Sequence, residues 1–341
     1  MNAKKILVTG SCGFIGFHLS NLLLKNGFEV IGIDNLDPYY DVGLKRARNN
    51  ILKKFKSYKF FEKDISVFQH VEELLPEGID KIVHLAAQAG VRYSIDKPEK
   101  YVTSNLLGCA NILELARLTN VSHLLLASTS SAYGANTDMP FAETQNCSHP
   151  LSFYAATKQA NELMSHSYSN IFRIPTTAFR FFTVYGPWGR PDMALFKFTK
   201  AIIEGSPIDV YNHGKMQRDF TFVTDLARSI MDLLEVTPVL EVTEFDHIDS
   251  KSPVAPWRLV NIGNAAPTDL MDYINAIETV LGKKAEINFL PMQPGDVEKT
   301  YANVSLLKAL TGRVPNTTID KGVTEFVTWY QDYYRQSKKG T

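Results

Sequence analysis

The first half of the chain alternates short apolar runs with longer segments whose apolar residues recur at helical intervals. Residues 6–8 are Ile, Leu and Val, as in a buried strand, and the apolar residues of 14–26 recur three or four positions apart until Gly27. The same alternation predicts strands at Glu29–Ile33, Tyr58–Glu62, Lys81–Leu85, Leu124–Ala127 and Thr176–Phe181, and helices beginning near Leu44 and at Val67–Leu75, Glu99–Thr119 and Ser152–Asn170. Such alternation is typical of right-handed βαβ units. It predicts an α/β fold with a doubly wound parallel sheet.

Three glycines stand between the first strand and the first helix at the spacing of a dinucleotide-binding turn. Gly10, Gly13 and Gly16 would let the backbone approach a pyrophosphate, whose charge then lies at the helix N-terminus. Asp34 ends the second strand, where a carboxylate can accept both ribose hydroxyls of an adenosine. This favours NAD over NADP, because a 2′-phosphate would meet the carboxylate. The alternative is that the three glycines only mark a flexible turn. The flanking strand and helix, together with Asp34, favour a cofactor-binding turn instead.

Small or polar residues follow the other predicted strands, and in a parallel sheet all of these positions meet in one cleft. Residues 86–90 (AAQAG) are small enough for a cofactor to lie close to the backbone. The predicted cofactor-binding residues are Gly10, Gly13, Phe14, Ile15, Gly16, Asp34, Asn35, Asp64, Ile65, Leu85, Ala86, Ala87, Gln88, Asn105, Tyr154 and Lys158.

From Phe182 onward the regular alternation of predicted strands and helices becomes less clear. Residues 184–193 (VYGPWGRPDM) are rich in glycine, proline and aromatic residues, as expected of a substrate loop, and 236–256 has the polar composition of an exposed loop. Shorter elements are predicted at Ala194–Glu204, Ile208–Tyr211, Thr224–Leu234, Leu259–Asn261 and Leu270–Leu281. We therefore predict a Rossmann-like NAD-binding domain over 1–180, to which segments near 222–236 and 258–264 are candidates to return. A smaller α/β substrate domain would span 181–341.

Composition narrows the class of protein. The 341 residues are 45% hydrophobic and 21% charged, which is ordinary for a globular enzyme. Lys plus Arg and Asp plus Glu number 36 each, which argues against nucleic acid or an anionic membrane as a partner. No apolar run approaches the ~18 residues of a membrane span, and the first strand leaves no room for a signal peptide. Three scattered cysteines without a CxxC pair indicate reduced thiols, a cytoplasmic location and no metal site.

Tyr154 and Lys158 are four residues apart, so they lie on one face of the predicted helix. An ammonium beside a phenol favours the phenolate and would lower the tyrosine pKa toward that of a general base. A chance match on a solvated helix face is the alternative, since the chain has 15 tyrosines. The hydroxyls of Ser128–Ser131 favour catalysis, because a hydroxyl there can bind a reacting oxygen and relay its proton to Tyr154. These groups would support hydride transfer between a sugar carbinol and NAD.

Longer motifs carry a family resemblance over nearly the whole chain. TGSCGFIG at 9–16, HLAAQ at 84–88, the Ser/Thr run before AYG at 132–134, and the Tyr154–Lys158 pair resemble the extended short-chain dehydrogenase/reductases. More narrowly, DNLDPYYDVGLKRAR (34–48), FFTVYGPWGRPDMA (181–194), RDFTFVTD (218–225) and MQPGDV (292–297) are similar to the UDP-glucuronate 4-epimerases.

The resemblance implies NAD-dependent C4 epimerisation of UDP-glucuronate to UDP-galacturonate through a transient 4-keto sugar, with NAD regenerated at each turnover. Tyr154 would take the C4 hydroxyl proton, Lys158 would tune it and hold the nicotinamide ribose, and Thr129 matches the catalytic Ser/Thr position. Arg218 would contact the phosphates unless it is a surface charge. Arg190 would bind the uronate carboxylate or order its loop through a salt bridge. The implied substrate-binding residues are Ser130, Ser131, Thr183, Arg190, Arg218 and Asp296.

Related enzymes that act on nucleotide sugars provide the alternatives to this function. UDP-glucuronate decarboxylases resemble this chain but carry Glu at the position of Ser131, and 4,6-dehydratases carry an Asp-Glu pair at the positions of Ser130 and Ser131. The two serines argue against both. A 4-epimerase of UDP-glucose and UDP-galactose, or of UDP-N-acetylhexosamines, stays the main alternative, although GPWGRPDM resembles the uronate-specific branch. A regulatory module that binds NAD without catalysis is disfavoured because the Thr, Tyr and Lys are all retained.

Two positions depart from the family pattern. Thr224 stands where the family often has an acid, and Gln293 stands where galactose epimerases commonly have a phosphate-binding Arg. The second departure leaves open how strongly the diphosphate is held.

The family also implies a homodimer. In it, the helices Glu99–Thr119 and Ser152–Asn170 would pack against their symmetry mates as a four-helix bundle. The apolar faces of both helices fit this arrangement, but a monomer core would give the same pattern.

Overall fold

A computed structural model describes residues 4–241, 248–293 and 296–339 of the chain. Its strands are β1 (Lys5–Thr9), β2 (Glu29–Asp34), β3 (Tyr58–Glu62), β4 (Lys81–His84), β5 (His123–Thr129), β6 (Thr176–Phe181), β7 (Thr183–Tyr185), β8 (Ile208–Val210), β9 (Gln217–Phe222), β10 (Trp257–Ile262), β11 (Pro267–Asp269), β12 (Ile287–Phe289) and β13 (Lys299–Thr300). Its α-helices are α1 (Phe14–Lys25), α2 (Val42–Leu52), α3 (Phe68–Glu72), α4 (Tyr93–Asp96), α5 (Pro98–Tyr101), α6 (Gly108–Thr119), α7 (Phe153–Phe172), α8 (Ala194–Glu204), α9 (Val223–Leu233), α10 (Leu270–Leu281), α11 (Ser305–Thr311) and α12 (Ile319–Lys339).

Among the described residues, the main sheet has seven parallel strands in the order β10-β6-β5-β4-β1-β2-β3. Successive side chains of each strand point to opposite faces, and both faces are covered. In β1, Ile6 and Val8 lie in a core shared with α1, α9 and α11, whereas Leu7 lies in a core shared with α3 and α6. The predicted α/β class and doubly wound sheet are therefore confirmed.

The second half of the chain contributes both to the main sheet and to a separate part with its own core. β10 pairs with β6 in the main sheet, and α9 packs against α1. The remaining strands β7, β9, β11 and β13 form a small sheet, and β8 pairs with β12. Helices α8, α10 and α12 enclose a separate aromatic core that includes Phe196, Tyr273 and Phe326. No helix in the described ranges is both long and apolar enough to cross a membrane.

Two predicted helices differ in detail from the structure. The helix predicted at 99–119 runs through a π-helical segment, Val102–Leu107, between α5 and α6. The helix predicted at 67–75 ends at Glu72, and a 3₁₀ turn, Leu75–Glu77, follows. Pro76 accounts for the second difference, because proline has no N–H to continue the helical hydrogen bonds.

The prediction that residues 236–256 are exposed is wrong for the end of that stretch. Ser252 and Ala255 are buried. The Ser252 hydroxyl accepts the N–H groups of Val254 and Ala255 and pairs with His166 of α7, so the segment folds back onto the helix before β10 begins. Residues 242–247 of this stretch, and 294–295 of the C-terminal motif, lie outside the described residues.

A buried ion pair fastens α7 to the ends of β5 and β6. Arg180 donates to both carboxylate oxygens of Glu162, at 2.9 Å from Nε and 2.7 Å from Nη2, and both side chains are less than a tenth exposed. Ser128 of β5 donates to the same carboxylate. The Arg180 guanidinium also lies 4.4 Å from the centre of the Tyr133 ring. These contacts compensate both charges for the hydration they lose on burial.

Replacing Glu162 by Gln should lower the free energy of unfolding by about 3–5 kcal/mol, because it leaves the Arg180 charge buried without its counterion. Urea denaturation followed by circular dichroism measures the change. Glu62→Gln is the matched control, since it removes the exposed Arg46–Glu62 pair, whose atoms are 3.4 Å apart, and should cost at most about 1 kcal/mol. Equal losses in the two variants would contradict the structural role of the buried pair.

Candidate functional site

A cleft of about 920 Å³ lies along the carboxyl ends of the main-sheet strands and reaches into the C-terminal half. Ligands of open parallel sheets collect at this edge. The predicted residues that line it are Gly10, Gly13, Phe14, Ile15, Gly16, Asp34, Asn35, Asp64, Ile65, Leu85, Ala86, Ala87, Gln88, Thr129, Ser130, Ser131, Tyr154, Lys158, Thr183, Arg190, Arg218 and Asp296. Asn105 is the predicted site residue that does not line this cleft.

The turn between β1 and α1 has the shape that a dinucleotide pyrophosphate requires. Gly10 has a φ of +70°, in the left-handed region that glycine adopts without strain. A Cβ atom on Gly16 would lie 2.0 Å from the carbonyl oxygen of Gly10, so only glycine allows α1 to approach the turn this closely. The helix begins at Phe14, and the residue before it provides no side-chain cap. The first N–H groups of α1 are therefore oriented to bind an anion.

The carboxylate of Asp34 is buried at the end of β2. One oxygen accepts the N–H of Cys12 at 3.0 Å, and the other accepts the N–H of Leu36 at 2.8 Å. Each oxygen can accept a further bond, so the carboxylate can still receive two ribose hydroxyls. Burial raises the pKa of Asp34, although the charge of Lys45 and both N–H groups oppose the rise.

Asn105 braces the loop after β4 and does not line the cleft. Its amide nitrogen donates to the carbonyl oxygen of Gln88 and to the hydroxyl of Thr157, both at 3.1 Å, and its oxygen accepts the N–H of Gln88 at 2.8 Å. The side chain is fully buried. The polar atoms of Asn105 are committed to the loop and to α7. Its direct contact with a cofactor stays a prediction, and the structure supports a positioning role.

One face of α7 contacts three consecutive residues at the end of β5. Helical residues four positions apart share a face, which brings three side chains of α7 over the strand. The Lys158 ammonium donates to a β5 carbonyl oxygen at 2.8 Å. The contacting pairs are Tyr154 with Thr129, Lys158 with Ala127, and Glu162 with Ser128.

The direction of the pKa shift at Tyr154 differs from the sequence-based prediction. Burial raises the pKa of Tyr154, and the hydroxyl of Thr129 and the charge of Arg190 only partly oppose the rise. The Lys158 ammonium is directed to the carbonyl oxygen of Ala127, and its tuning of Tyr154 stays a prediction. Burial also lowers the pKa of Lys158 to about 8. The charge of Arg190 acts on the phenol from another part of the chain, outside α7.

Arg190 lies between β7 and α8 and is held there by Asp192. Its Nε and Nη2 donate to the two carboxylate oxygens at 3.0 and 2.5 Å. The Tyr39 hydroxyl donates to the same carboxylate at 3.2 Å, which joins the loop after β2 to this loop. The loop-ordering salt bridge, one of the two alternatives for Arg190, is thus present. Arg190 also lines the cleft, so the ion pair does not exclude a role in binding.

Arg218 of β9 reaches the cleft while its donors are largely bound to the backbone. Its Nη1 donates to the carbonyl oxygens of Gln217 and Glu298, each at 2.9 Å, and its Nη2 donates to that of Val297 at 2.6 Å. Burial lowers the pKa of Arg218, and the carboxylate of Asp296 opposes this shift. The guanidinium is therefore a cation fixed in one orientation.

Sequence reasoning missed several cleft-lining residues that come from loops far apart in the chain. They are Tyr39, Arg92, Tyr93, Asp192, Lys197 and Tyr211. Tyr39 and Asp192 lie inside the family motifs and could have been found there, whereas Arg92 and Tyr211 lie in none of them. Across the described ranges, no group of three or more His, Cys, Asp or Glu side chains could hold a metal ion.

Known proteins resemble this chain over most or all of its length. A sequence model of the NAD dependent epimerase/dehydratase family matches residues 6–240. The chain is 48% identical over 338 residues to a probable UDP-glucuronate 4-epimerase of Rhizobium meliloti (strain 1021), covering 98% of each. It is 41% identical over 344 residues to UDP-glucuronate 4-epimerase 4 of Arabidopsis thaliana, covering 99% of this chain and 78% of that one. Its fold is similar to the crystal structure of UDP-glucuronic acid 4-epimerase from Bacillus cereus in complex with UDP-glucuronic acid and NAD, with a TM-score of 0.86, 32% identity and coverage of 97% and 100%.

Proposed function

This chain belongs to the NAD dependent epimerase/dehydratase family, and we propose that it is an NAD-dependent isomerase that inverts C4 of UDP-glucuronate to give UDP-galacturonate. The observation that carries the proposal is the contact of Tyr154 with Thr129 in a cleft where serines occupy positions 130 and 131. A phenol beside a hydroxyl can move a proton at a carbinol. Serines at the neighbouring positions supply no acid or base for elimination.

The glycine turn and the end of β2 fit NAD. A Cβ on Gly16 would collide with the turn, the start of α1 presents its N–H groups to an anion, and Asp34 retains acceptor capacity for a ribose. Asn35 donates to Asp64 at 2.9 Å and ties the ends of β2 and β3 around the same region. When bound, the cofactor supplies a reversible hydride acceptor for C4.

The proton at the C4 oxygen is handled by Tyr154 and Thr129. The phenolate accepts the hydroxyl proton as C4 is oxidised to the ketone and returns it after the sugar has turned over in the site. Arg190 and the Thr129 hydroxyl favour the phenolate and oppose the effect of burial. Lys158, anchored at the end of β5, keeps this part of α7 in place.

The carboxylate of the substrate requires hydrogen-bond donors and positive charge in the cleft. A 4-keto uronate is a β-keto acid, which loses CO2 readily when its carboxylate leaves a polar environment. The hydroxyls of Ser130, Ser131 and Thr183 line the cleft and can donate to a carboxylate, which stabilises its charge. Arg190 adds a positive charge that Asp192 partly neutralises. A site for neutral UDP-sugars, the alternative, would not need these donors.

The three cysteines support a cytoplasmic location, which we infer from their unpaired state. Cys12 and Cys109 are buried, Cys147 is partly exposed, and all three are free thiols. Burial raises the pKa of Cys109 to about 12, so this side chain stays a neutral thiol. Free thiols are typical of reducing compartments.

Exposed apolar residues on α7 and the neighbouring helical segment support the proposal of a homodimer. Leu163 is 73% exposed and Ile171 is 63% exposed, and they lie eight residues apart on one side of α7. Val102 and Leu107, in the π-helical segment, are each nearly half exposed. A second copy of the chain packed here as a four-helix bundle would bury these side chains.

Purified wild-type protein should convert UDP-glucuronate to UDP-galacturonate, and Tyr154→Phe should reduce turnover at least about 1,000-fold, in line with the loss of a general base. Separation of the products formed from UDP-glucuronate, UDP-glucose and UDP-N-acetylglucosamine measures activity and specificity. Bound NAD, released by denaturation and quantified, should be unchanged in the variant. Near-normal turnover by Tyr154→Phe would contradict its role, and preference for UDP-glucose would favour the neutral-sugar alternative.

Ser131→Glu should increase the release of CO2 relative to the formation of UDP-galacturonate, because a carboxylate there replaces a hydroxyl that stabilises the substrate carboxylate. The ratio of UDP-pentose to UDP-galacturonate measures the effect. Ser148→Glu, at an exposed serine outside the cleft, is the control and should leave the ratio as in wild type. The same ratio in all three proteins would contradict this role for Ser131.

Leu163→Lys should convert the dimer to a monomer, because it places a charge in the proposed interface. Light scattering coupled to size-exclusion chromatography should give twice the chain mass of 38.3 kDa for wild type and the single mass for the variant. Val239→Lys, at a side chain 45% exposed and remote in sequence from these helices, should remain dimeric. A monomeric wild type would rule out the dimer.

A further inference from the structure

Four side chains meet where the loop after β4 faces the C-terminal half across the cleft. Arg92 of that loop forms an ion pair with Asp296, with 3.0 Å between Nη2 and Oδ2. The Arg92 guanidinium also lies 4.9 Å from the centre of the Tyr211 ring. Asp296 in turn acts on the charge of Arg218. All four residues line the cleft.

The two arginines of this cluster differ in the donors they can offer to a ligand. Three of the contacts that Arg218 makes are to backbone carbonyl oxygens, which occupy most of the five N–H groups of its guanidinium. Arg92 has one hydrogen-bonded partner among the described residues, the carboxylate of Asp296. Its side chain is 49% exposed, whereas that of Asp296 is 20% exposed. Arg92 therefore has both the donors and the access to bind an anion in the cleft.

The backbone that carries Arg92 is fixed. The Tyr101 hydroxyl donates to the carbonyl oxygens of Ala89 and Gly90, at 3.1 and 2.5 Å, and the Ser94 hydroxyl donates to that of Val91 at 2.6 Å. Tyr101 itself is completely buried. Because the loop is held on both sides of Arg92, little backbone entropy is lost when the side chain binds a ligand.

We propose that Arg92 is a second diphosphate-binding residue, brought from the cofactor side of the cleft and kept in place by Asp296 and Tyr211. The assignment rests on the proposed function, because it takes the diphosphate of a UDP-sugar as the ligand. Two guanidinium groups and one carboxylate leave one net positive charge in the cluster, which suits a ligand with two adjacent anionic phosphates. A planar guanidinium can bind a phosphate through two parallel hydrogen bonds. Arg218 then contributes mainly a fixed charge, and Arg92 contributes the free donors.

Binding of UDP and of uridine to the purified protein, measured by isothermal titration calorimetry, tests the assignment. Arg92→Gln should weaken UDP binding about 10- to 100-fold, as expected for the loss of hydrogen bonds to a charged group, and change uridine binding by less than about threefold. Arg92→Lys, which keeps the charge but not the planar pair of donors, should lie between Arg92→Gln and wild type. Arg46→Gln is the matched control, since Arg46 is an exposed arginine paired with Glu62 outside the cleft, and it should bind UDP as wild type does.

The outcomes separate this assignment from the proposed function. If wild type binds UDP and Arg92→Gln binds it equally well, Arg92 is not a diphosphate ligand. If Arg92→Gln weakens UDP and uridine by the same factor, the variant has damaged the nucleotide site as a whole and the assignment is also wrong. Wild-type protein that binds no UDP would overturn the proposed function, and the role of Arg92 with it. Retained NAD in each variant verifies that the cofactor half is folded.

Discussion

The register of α7 against the carboxyl end of β5 is the constraint on which the site depends. Three side chains of the helix, spaced four residues apart, contact three consecutive residues of the strand. A shift of one residue along the helix would rotate its contact face by about 100°. The same shift would remove the Tyr154 phenol from Thr129 and separate the buried charge of Glu162 from Arg180. The ion pair thus orients a phenol two helical turns away, although it takes no part in the chemistry.

Three arginines of the cleft are held by partners that the protein itself supplies. Asp192 holds Arg190, Asp296 holds Arg92, and backbone carbonyl oxygens hold Arg218. Each guanidinium is thereby kept in one orientation, so an anionic substrate meets donors that need little rearrangement. Asp192 and Asp296 also reduce the net positive charge of the cleft.

The sequence predicted those parts of the site that depend on neighbours in the chain. The glycine turn and Asp34 were identifiable because strand, turn, helix and acid follow one another within about 30 residues, and the structure brings them to one edge of the sheet. Residue spacing shows which face of an element a side chain occupies, but it does not show what lies opposite. The contact of Asn105 with the loop at Gln88 and that of Arg92 with Asp296, 204 residues away, could therefore not be predicted. The upward pKa shift of Tyr154 was missed for the same reason, since burial and a charge from a distant loop decide its sign.

Arg190 connects the two requirements of the proposed reaction. Its charge favours the phenolate of Tyr154, and its position in the cleft brings the same charge near the hydroxyls that would hold the carboxylate. An unpaired guanidinium would bind that carboxylate tightly, whereas inversion requires the oxidised sugar to turn and present its other face. Asp192 shares the guanidinium and weakens this hold, while hydroxyl donors such as Ser131 can exchange one hydrogen bond for another as the sugar moves. In the proposed reaction, an arginine paired with an acid and flanked by hydroxyls would stabilise the carboxylate enough to prevent its loss as CO2 and would still allow the rotation on which epimerisation depends.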